Sequence, residues 1–246
     1  MSEIAIIGGT GLTSLASLEI VRREMVQTPY GEPSGPLTHG ILCDREVVFL
    51  ARHGYGHTIP PHQVNYRANL WALKSIGVEK VIAIAAVGGI RADLVPGRLV
   101  FPDQIIDYTW SRYNTFFEDS GDGVTHIDFT WPYCDELRQQ LIQAADRLNL
   151  NAAGKATYAA TQGPRLETAA EIDRLERDGC DVVGMTGMPE AALARELELC
   201  YAACAVVANM AAGRGDGKIT LEEIEQNLVK GMGKVGQLLE EAMLTA

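Results

Sequence analysis

Apolar residues gather along this chain in short, β-branched runs at positions 4–7, 47–51, 81–87, 99–101, 181–184 and 204–208. Runs of that length and composition predict mostly buried strands. Between several of them the apolar spacing lengthens to the helical period, predicting helices over 66–76, 136–148, 169–177 and 190–199. The strongest helical pattern is the last one. Leu221, Ile224, Leu228, Met232, Val235, Leu239 and Met243 fall on one stripe, and Thr220 with Glu223 makes a capping box at its start. Gly231, Gly233 and Gly236 each weaken that helix by up to about 1 kcal/mol, which predicts close packing against a neighbour. The alternation of strands and helices predicts an α/β protein with helices on both faces of its sheet.

At 246 residues without a linker or a repeat, the chain reads as a single domain spanning 1–246. Pro, Gly and Ser crowd at 29–36 and 213–217, but both stretches are short and read as surface loops. A net charge of −11 argues against nucleic acid or an anionic membrane as partner. A small anion is still admissible in a local cluster of Arg, His, hydroxyls and backbone N–H groups. The five cysteines contain no Cys-x-x-Cys and read as buried free thiols of a reducing compartment. With no cleavable apolar leader and no run of ~20 apolar residues, a cytoplasmic location is expected.

The first strand empties into Gly8-Gly9-Thr10-Gly11, where backbone without a Cβ can approach an anion and Thr10 adds a hydroxyl. A tight turn alone would use the same residues. A dinucleotide site is excluded because no helical stripe follows, and no second strand ends in an acidic residue about 20 positions on. Directly after the strand at 47–51 come Arg52 and His53. A guanidinium grips an oxyanion through two parallel N–H bonds, and a neighbouring imidazole can donate a third. His57 and His62 lie close by in a Gly/Pro loop, without the spacing of a metal site, so no metal is expected. Asp216-Gly217-Lys218-Ile219 followed by Glu223 imitates half of a calcium loop, but its first and third ligand positions are Ala212 and Arg214.

Three later segments complete the picture: Gly163-Pro164-Arg165-Leu166-Glu167-Thr168, Gly184-Met185-Thr186-Gly187-Met188-Pro189-Glu190, and Asn209 at the end of an apolar run. A carboxylate, a hydroxyl beside a thioether, and an amide suit a purine, a sugar and an anion in one pocket. In this order the segments resemble the purine nucleoside phosphorylase and methylthioadenosine phosphorylase family, nearly end to end. The resemblance implies a three-layer sandwich around a mixed central β-sheet, and no cofactor beyond inorganic phosphate as co-substrate. It implies a phosphate site made of Gly8, Thr10, Arg52, His53, Ala86 and Thr186. Ala85 departs from the Thr of adenosine-type members.

The same resemblance implies that Met185 packs under the ribose, that Leu166 and Glu167 line the base site, and that Asn209, with Arg52 and His53, serves catalysis. A carboxylate only accepts hydrogen bonds, so Glu167 suits the N1–H of a 6-oxopurine and faces a lone pair in adenine. Asn209 offers both a donor and an acceptor to N7 and O6. Adenosine-type members carry Asp at the positions of Asn209 and Ala211 and Ser at that of Glu167. Inosine and guanosine enzymes place a 5′-hydroxyl-binding His where Leu221 stands; Leu221 with Ile224 implies an apolar 5′ pocket for a methylthio group. Leu221 also lies on the helix's apolar stripe and reads equally as core. His126 matches a position that reaches the neighbouring subunit's sugar site, implying a homotrimer. These features together imply phosphorolysis of 5′-methylthioinosine. Methylthioadenosine or inosine and guanosine phosphorolysis, and a non-catalytic nucleotide-binding protein, are the alternatives.

Overall fold

The computed structural model describes residues 3–12, 15, 17–118, 124–215 and 217–245. Thr13, Ser14 and Ala16 after the glycine turn, Gly123 before the His126 segment, and Asp216 of the calcium-like pattern lie outside them. The strands are β1 (Ile4–Gly8), β2 (Glu19–Glu24), β3 (Leu37–Leu42), β4 (Arg45–Ala51), β5 (Lys80–Gly89), β6 (Leu99–Val100), β7 (Gln104–Asp107), β8 (Thr157–Ala160), β9 (Val182–Gly184) and β10 (Cys200–Met210). They join one mixed sheet in the order β2-β3-β4-β1-β5-β9-β8-β7, with β10 paired to β5 and β6 to β10. The helices are α1 (Tyr66–Ser75), α2 (Asp135–Arg147), α3 (Ala169–Arg177), α4 (Gly187–Glu196) and α5 (Leu221–Thr245).

Side-chain alternation along the apolar strands creates the layers, because successive residues face opposite sides of a sheet. Ala5 and Ile7 of β1, with Val48 and Leu50 of β4, pack against Leu70 and Leu73 of α1 and Leu193 of α4. Their neighbours Ile4, Ile6, Val47 and Phe49 pack on the other face with Leu141 of α2 and Val235 and Leu239 of α5. The expected three-layer α/β sandwich is therefore what forms. Strands β2, β3, β7 and β8 are additions to the sequence reading. β2 is exposed along nearly all of its length, so no apolar run announces it.

Two expectations need correction. Cys134 and Cys200 are joined in a disulfide, whereas Cys43, Cys180 and Cys204 are free. The pair is 66 residues apart in sequence, and the Cys134 N–H to Tyr201 carbonyl bond that brings α2 to the start of β10 is invisible in Cys spacing. Of the three α5 glycines, only Gly231 marks a close approach: a Cβ there would strike Val206. Gly233 and Gly236 face open space.

Strands β4, β1, β5 and β10 run parallel, so their carboxyl ends share one edge, the usual place for a ligand in an open α/β sheet. β5 is paired to β10 along its whole length. On its opposite edge it pairs with β1 up to Ala83 and with β9 only from Gly88. Residues 84–87 thus face an opening rather than a strand.

Candidate active site

A cavity of about 420 Å³ lies at these strand ends. Thr10, Arg52, His53, Ala86 and Thr186 of the expected phosphate site all line it, and Gly9 stands where Gly8 was expected. Gly8 is buried in β1 with its carbonyl accepting the Arg52 backbone N–H at 2.9 Å. A Cβ at Gly9 would lie 2.5 Å from the Ile84 carbonyl oxygen and 2.9 Å from Arg52 Nη1. Backbone cannot yield there cheaply. Gly9→Ala is therefore expected to raise the KM for phosphate by roughly tenfold or more, on the order of one lost charged hydrogen bond; steady-state phosphate titration checks it.

Arg52 is the largest fully buried side chain among the described residues, at 1% exposure. A buried guanidinium requires a counter-charge, and Glu190 at the start of α4 supplies it: Nε and Nη2 donate to its two carboxylate oxygens at 2.6 and 2.7 Å. Nη1 donates to the Ile84 carbonyl at 2.8 Å, and the Tyr201 hydroxyl donates to Glu190 at 2.8 Å. This corrects the expectation of a two-pronged grip on phosphate. The parallel fork belongs to Glu190, and only the remaining N–H groups of Nη1 and Nη2 are left for an anion. Despite the cost of burial, the facing Glu190 charge raises the guanidinium pKa, so Arg52 stays a cation.

His53 is corrected too. Its Nδ1 lies 2.8 Å from the Ile59 carbonyl, which can only accept, so Nδ1 carries the proton. Burial, and then the adjacent Arg52 charge, push its pKa down to about 4. At neutral pH the ring is uncharged and Nε2 is an acceptor. It suits a protonated phosphate oxygen rather than a bare oxyanion.

Strand alternation turns the Ala86 N–H to the same open edge as the Ile84 carbonyl, two residues back. Thr186 precedes α4 without a side-chain cap bond and lines the cavity, with the buried Tyr158 hydroxyl beside it. Met185 and Leu166 line the cavity as expected. Glu167 lines it with Oε1 accepting the Thr161 hydroxyl at 2.6 Å.

Asn209 is buried beside the cavity because β10 carries a bulge between Val207 and Asn209, a device that re-aims a side chain near active sites. The Ala208 carbonyl freed by the bulge accepts from Asn227 Nδ2 of α5 at 2.9 Å. Asn209 Nδ2 donates to the Met210 carbonyl at 2.7 Å, which fixes the amide's orientation and leaves Oδ1 and the second N–H for a ligand.

Part of the cavity lining is apolar. Leu221 and Ile224 line it together with Ile219, which sequence reasoning passed over although it stands two residues before Leu221. Leu221 is 77% exposed, so the alternative of an ordinary core residue fails. His126 is exposed and does not line this cavity. Glu190 was quoted in its motif without a role; a buried Arg at a strand end was the signal that a carboxylate had to exist somewhere. Arg112 was missed altogether. Its guanidinium donates to the carbonyls of Met185 at 2.8 Å, Met188 at 2.6 Å and Gln162 at 2.8 Å, tying the loop after β9 to the segment after β8.

The fold, with a strand-end cavity lined by nearly all the residues expected for phosphate and nucleoside, is that of a nucleoside phosphorylase. The chain belongs to the phosphorylase superfamily, whose family model matches residues 3–243. It is 55% identical over 243 residues to a probable S-methyl-5′-thioinosine phosphorylase of Pseudomonas syringae pv. tomato, covering 99% of each chain. It is 49% identical over 248 residues to the 6-oxopurine nucleoside phosphorylase of Pyrococcus furiosus, covering 99% of this chain and 92% of that one. Among solved structures, methylthioadenosine phosphorylase of Schistosoma mansoni in complex with adenine superposes with a TM-score of 0.94. It shares 35% identity and covers 100% of this chain and 92% of its own.

Proposed function

We propose that this chain cleaves 5′-methylthioinosine with inorganic phosphate, giving hypoxanthine and 5-methylthioribose 1-phosphate in purine salvage. The observation that carries the reading is one cavity lined both by Glu167 and Asn209 and by an apolar Ile219, Leu221 and Ile224 group. Such a cavity matches a 6-oxopurine joined to a sugar without a 5′-hydroxyl. The relatives named for methylthioinosine and for 6-oxopurine nucleosides support the base half of the reading.

In the reaction a phosphate oxygen attacks C1′ as the C1′–N9 bond breaks, so no covalent enzyme intermediate is required. Thr10, Thr186, the Ala86 N–H and the free N–H groups of Arg52 hold the phosphate against the sugar, and its charge stabilises the oxocarbenium-like centre. Neutral His53 accepts a hydrogen bond from the P–OH group. As the bond to N9 breaks, electron density moves into the purine, where Asn209 meets it at N7 and O6; the proton lost by phosphate ends on the base. Glu167 accepts from N1–H, and Met185 packs beneath the ribose. No cofactor or metal enters this scheme.

We further propose that the chain acts as a single domain in a cytoplasmic homotrimer, with His126 completing a neighbour's sugar site. The exposure of His126 supports this arrangement. The location rests on the substrates and no longer on the cysteines, two of which are bridged. One observation favours a broader reading: the high exposure of Leu221 leaves the 5′ end open enough to admit a hydroxyl, as in a general 6-oxopurine nucleoside phosphorylase.

The test is phosphate-dependent purine release from methylthioinosine, methylthioadenosine, inosine and adenosine side by side. Preference for methylthioinosine is expected. Preference for methylthioadenosine sinks the base reading, and preference for inosine selects the broader one. Release without phosphate undoes the cradle.

A further inference from the structure

We propose that Thr161 is a positioning residue that sets base specificity by fixing the Glu167 carboxylate, an inference that rests on the 6-oxopurine reading above. Thr161 follows β8 and does not itself line the substrate cavity. Its backbone is pinned: the N–H donates to the Gly184 carbonyl at 2.8 Å, and its carbonyl accepts from Arg112 Nη2 at 3.2 Å. Its hydroxyl has one proton and two acceptors within reach, Glu167 Oε1 at 2.6 Å and the Gly184 carbonyl at 3.3 Å. The shorter contact to a charged acceptor takes it. Among the described residues Oε2 has no hydrogen-bond partner, so one carboxylate oxygen is anchored and the other is left for a ligand.

An anchor is needed because of what lies behind Glu167. A second cavity of about 430 Å³ shares Glu167 with the first and is lined by Thr161, Arg165 and Arg174. Arg165 is already paired with Glu171, and Arg174 lies 3.7 Å from Asp178. Even so, two guanidinium groups on that side attract any nearby carboxylate. The carboxylate stands in a wall with the base on one side and these cations on the other. The Thr161 hydroxyl decides which side it serves. Held in place, Glu167 rewards a base with N1–H and opposes one with a lone pair there; released, it turns toward the arginines and reads neither base.

The experiment compares Thr161→Val, which keeps the shape without the donor, with Thr161→Ser, which restores it. Assays measure kcat/KM for methylthioinosine and methylthioadenosine at saturating phosphate, and KM for phosphate separately. Thr161→Val is expected to lower kcat/KM for methylthioinosine by about 10- to 100-fold, the range for a hydrogen bond to a charged group. It should change methylthioadenosine by less than about threefold, leave the phosphate KM unchanged, and be reversed by Thr161→Ser. A merely structural role lowers both substrates together, and that result, or an unchanged ratio, overturns the proposal. If Thr161→Val does not fold, Thr161→Cys, a weaker donor of similar size, decides on the same ratio. If the unsubstituted enzyme shows no preference for the 6-oxopurine, the underlying reading fails; if it does and the ratio survives in Thr161→Val, only this inference fails.

Discussion

Asn209→Asp is expected to lower the ratio of kcat/KM for methylthioinosine over methylthioadenosine by about 100-fold, within the range that mismatched buried hydrogen-bonding groups impose. The constraint comes from the Met210 carbonyl. In the native chain it accepts from Asn209 Nδ2 at 2.7 Å. An ionised Asp would set oxygen against oxygen at that point, so the new side chain either swings away or takes up a proton. Swung away, it no longer meets the developing negative charge at N7 and O6 of a departing hypoxanthine. Protonated, it becomes a donor suited to adenine. Both routes move the preference in the same direction. Purine release from the two substrates at saturating phosphate measures the shift, and an unchanged ratio would remove Asn209 from base recognition.

Glu190→Gln is expected to cost about 3–5 kcal/mol of stability, the penalty for leaving one member of a buried ion pair uncompensated. For a chain of this size that corresponds to a melting temperature lower by roughly 10 °C or more. Arg52 and Glu190 have side chains exposed by 1% and 2%, so water cannot replace the lost charge. The same substitution frees the guanidinium fork, and the KM for phosphate should rise because Arg52 is no longer held toward the cavity. A double variant, Arg52→Met with Glu190→Leu, separates the two effects. Replacing a buried pair by apolar residues of similar volume is often neutral, so this variant should melt near the native temperature while losing phosphorolysis. Retained activity would show that Arg52 is dispensable to phosphate; failure to recover stability would show that more than the pair's charges had been lost.

The parts of the fold legible in the sequence were those whose physics is local. β1, β4, β5 and β10 are buried and announce themselves as apolar runs; α5 does so by its stripe. β2 was illegible because its residues are exposed on both faces, and β7 and β8 because four residues each give too short a pattern. The site followed the same division. Thr10, Arg52, His53, Glu167, Thr186 and Asn209 each stand at a strand end or in a turn that sequence marks. Their partners do not. Arg52 meets Glu190 across 138 positions, and Arg112 serves backbone carbonyls, which have no letter in a sequence. The Cys134–Cys200 bridge was missed for the same reason, since only the sheet brings the two together.

The opening along β5 between Ala83 and Gly88 has a consequence for how this enzyme can be dissected. On the proposed reading, phosphate occupies the place of an absent strand, and its oxygens stand in for the carbonyls that strand would have offered. The co-substrate is then a replaceable piece of the sheet's own architecture. Ala86 takes part through its amide alone, so a scan of side-chain truncations passes over it without a signal. Replacing that amide by an ester would expose it. What selection must preserve there is a distance between two neighbouring strands, and many different side chains satisfy a distance.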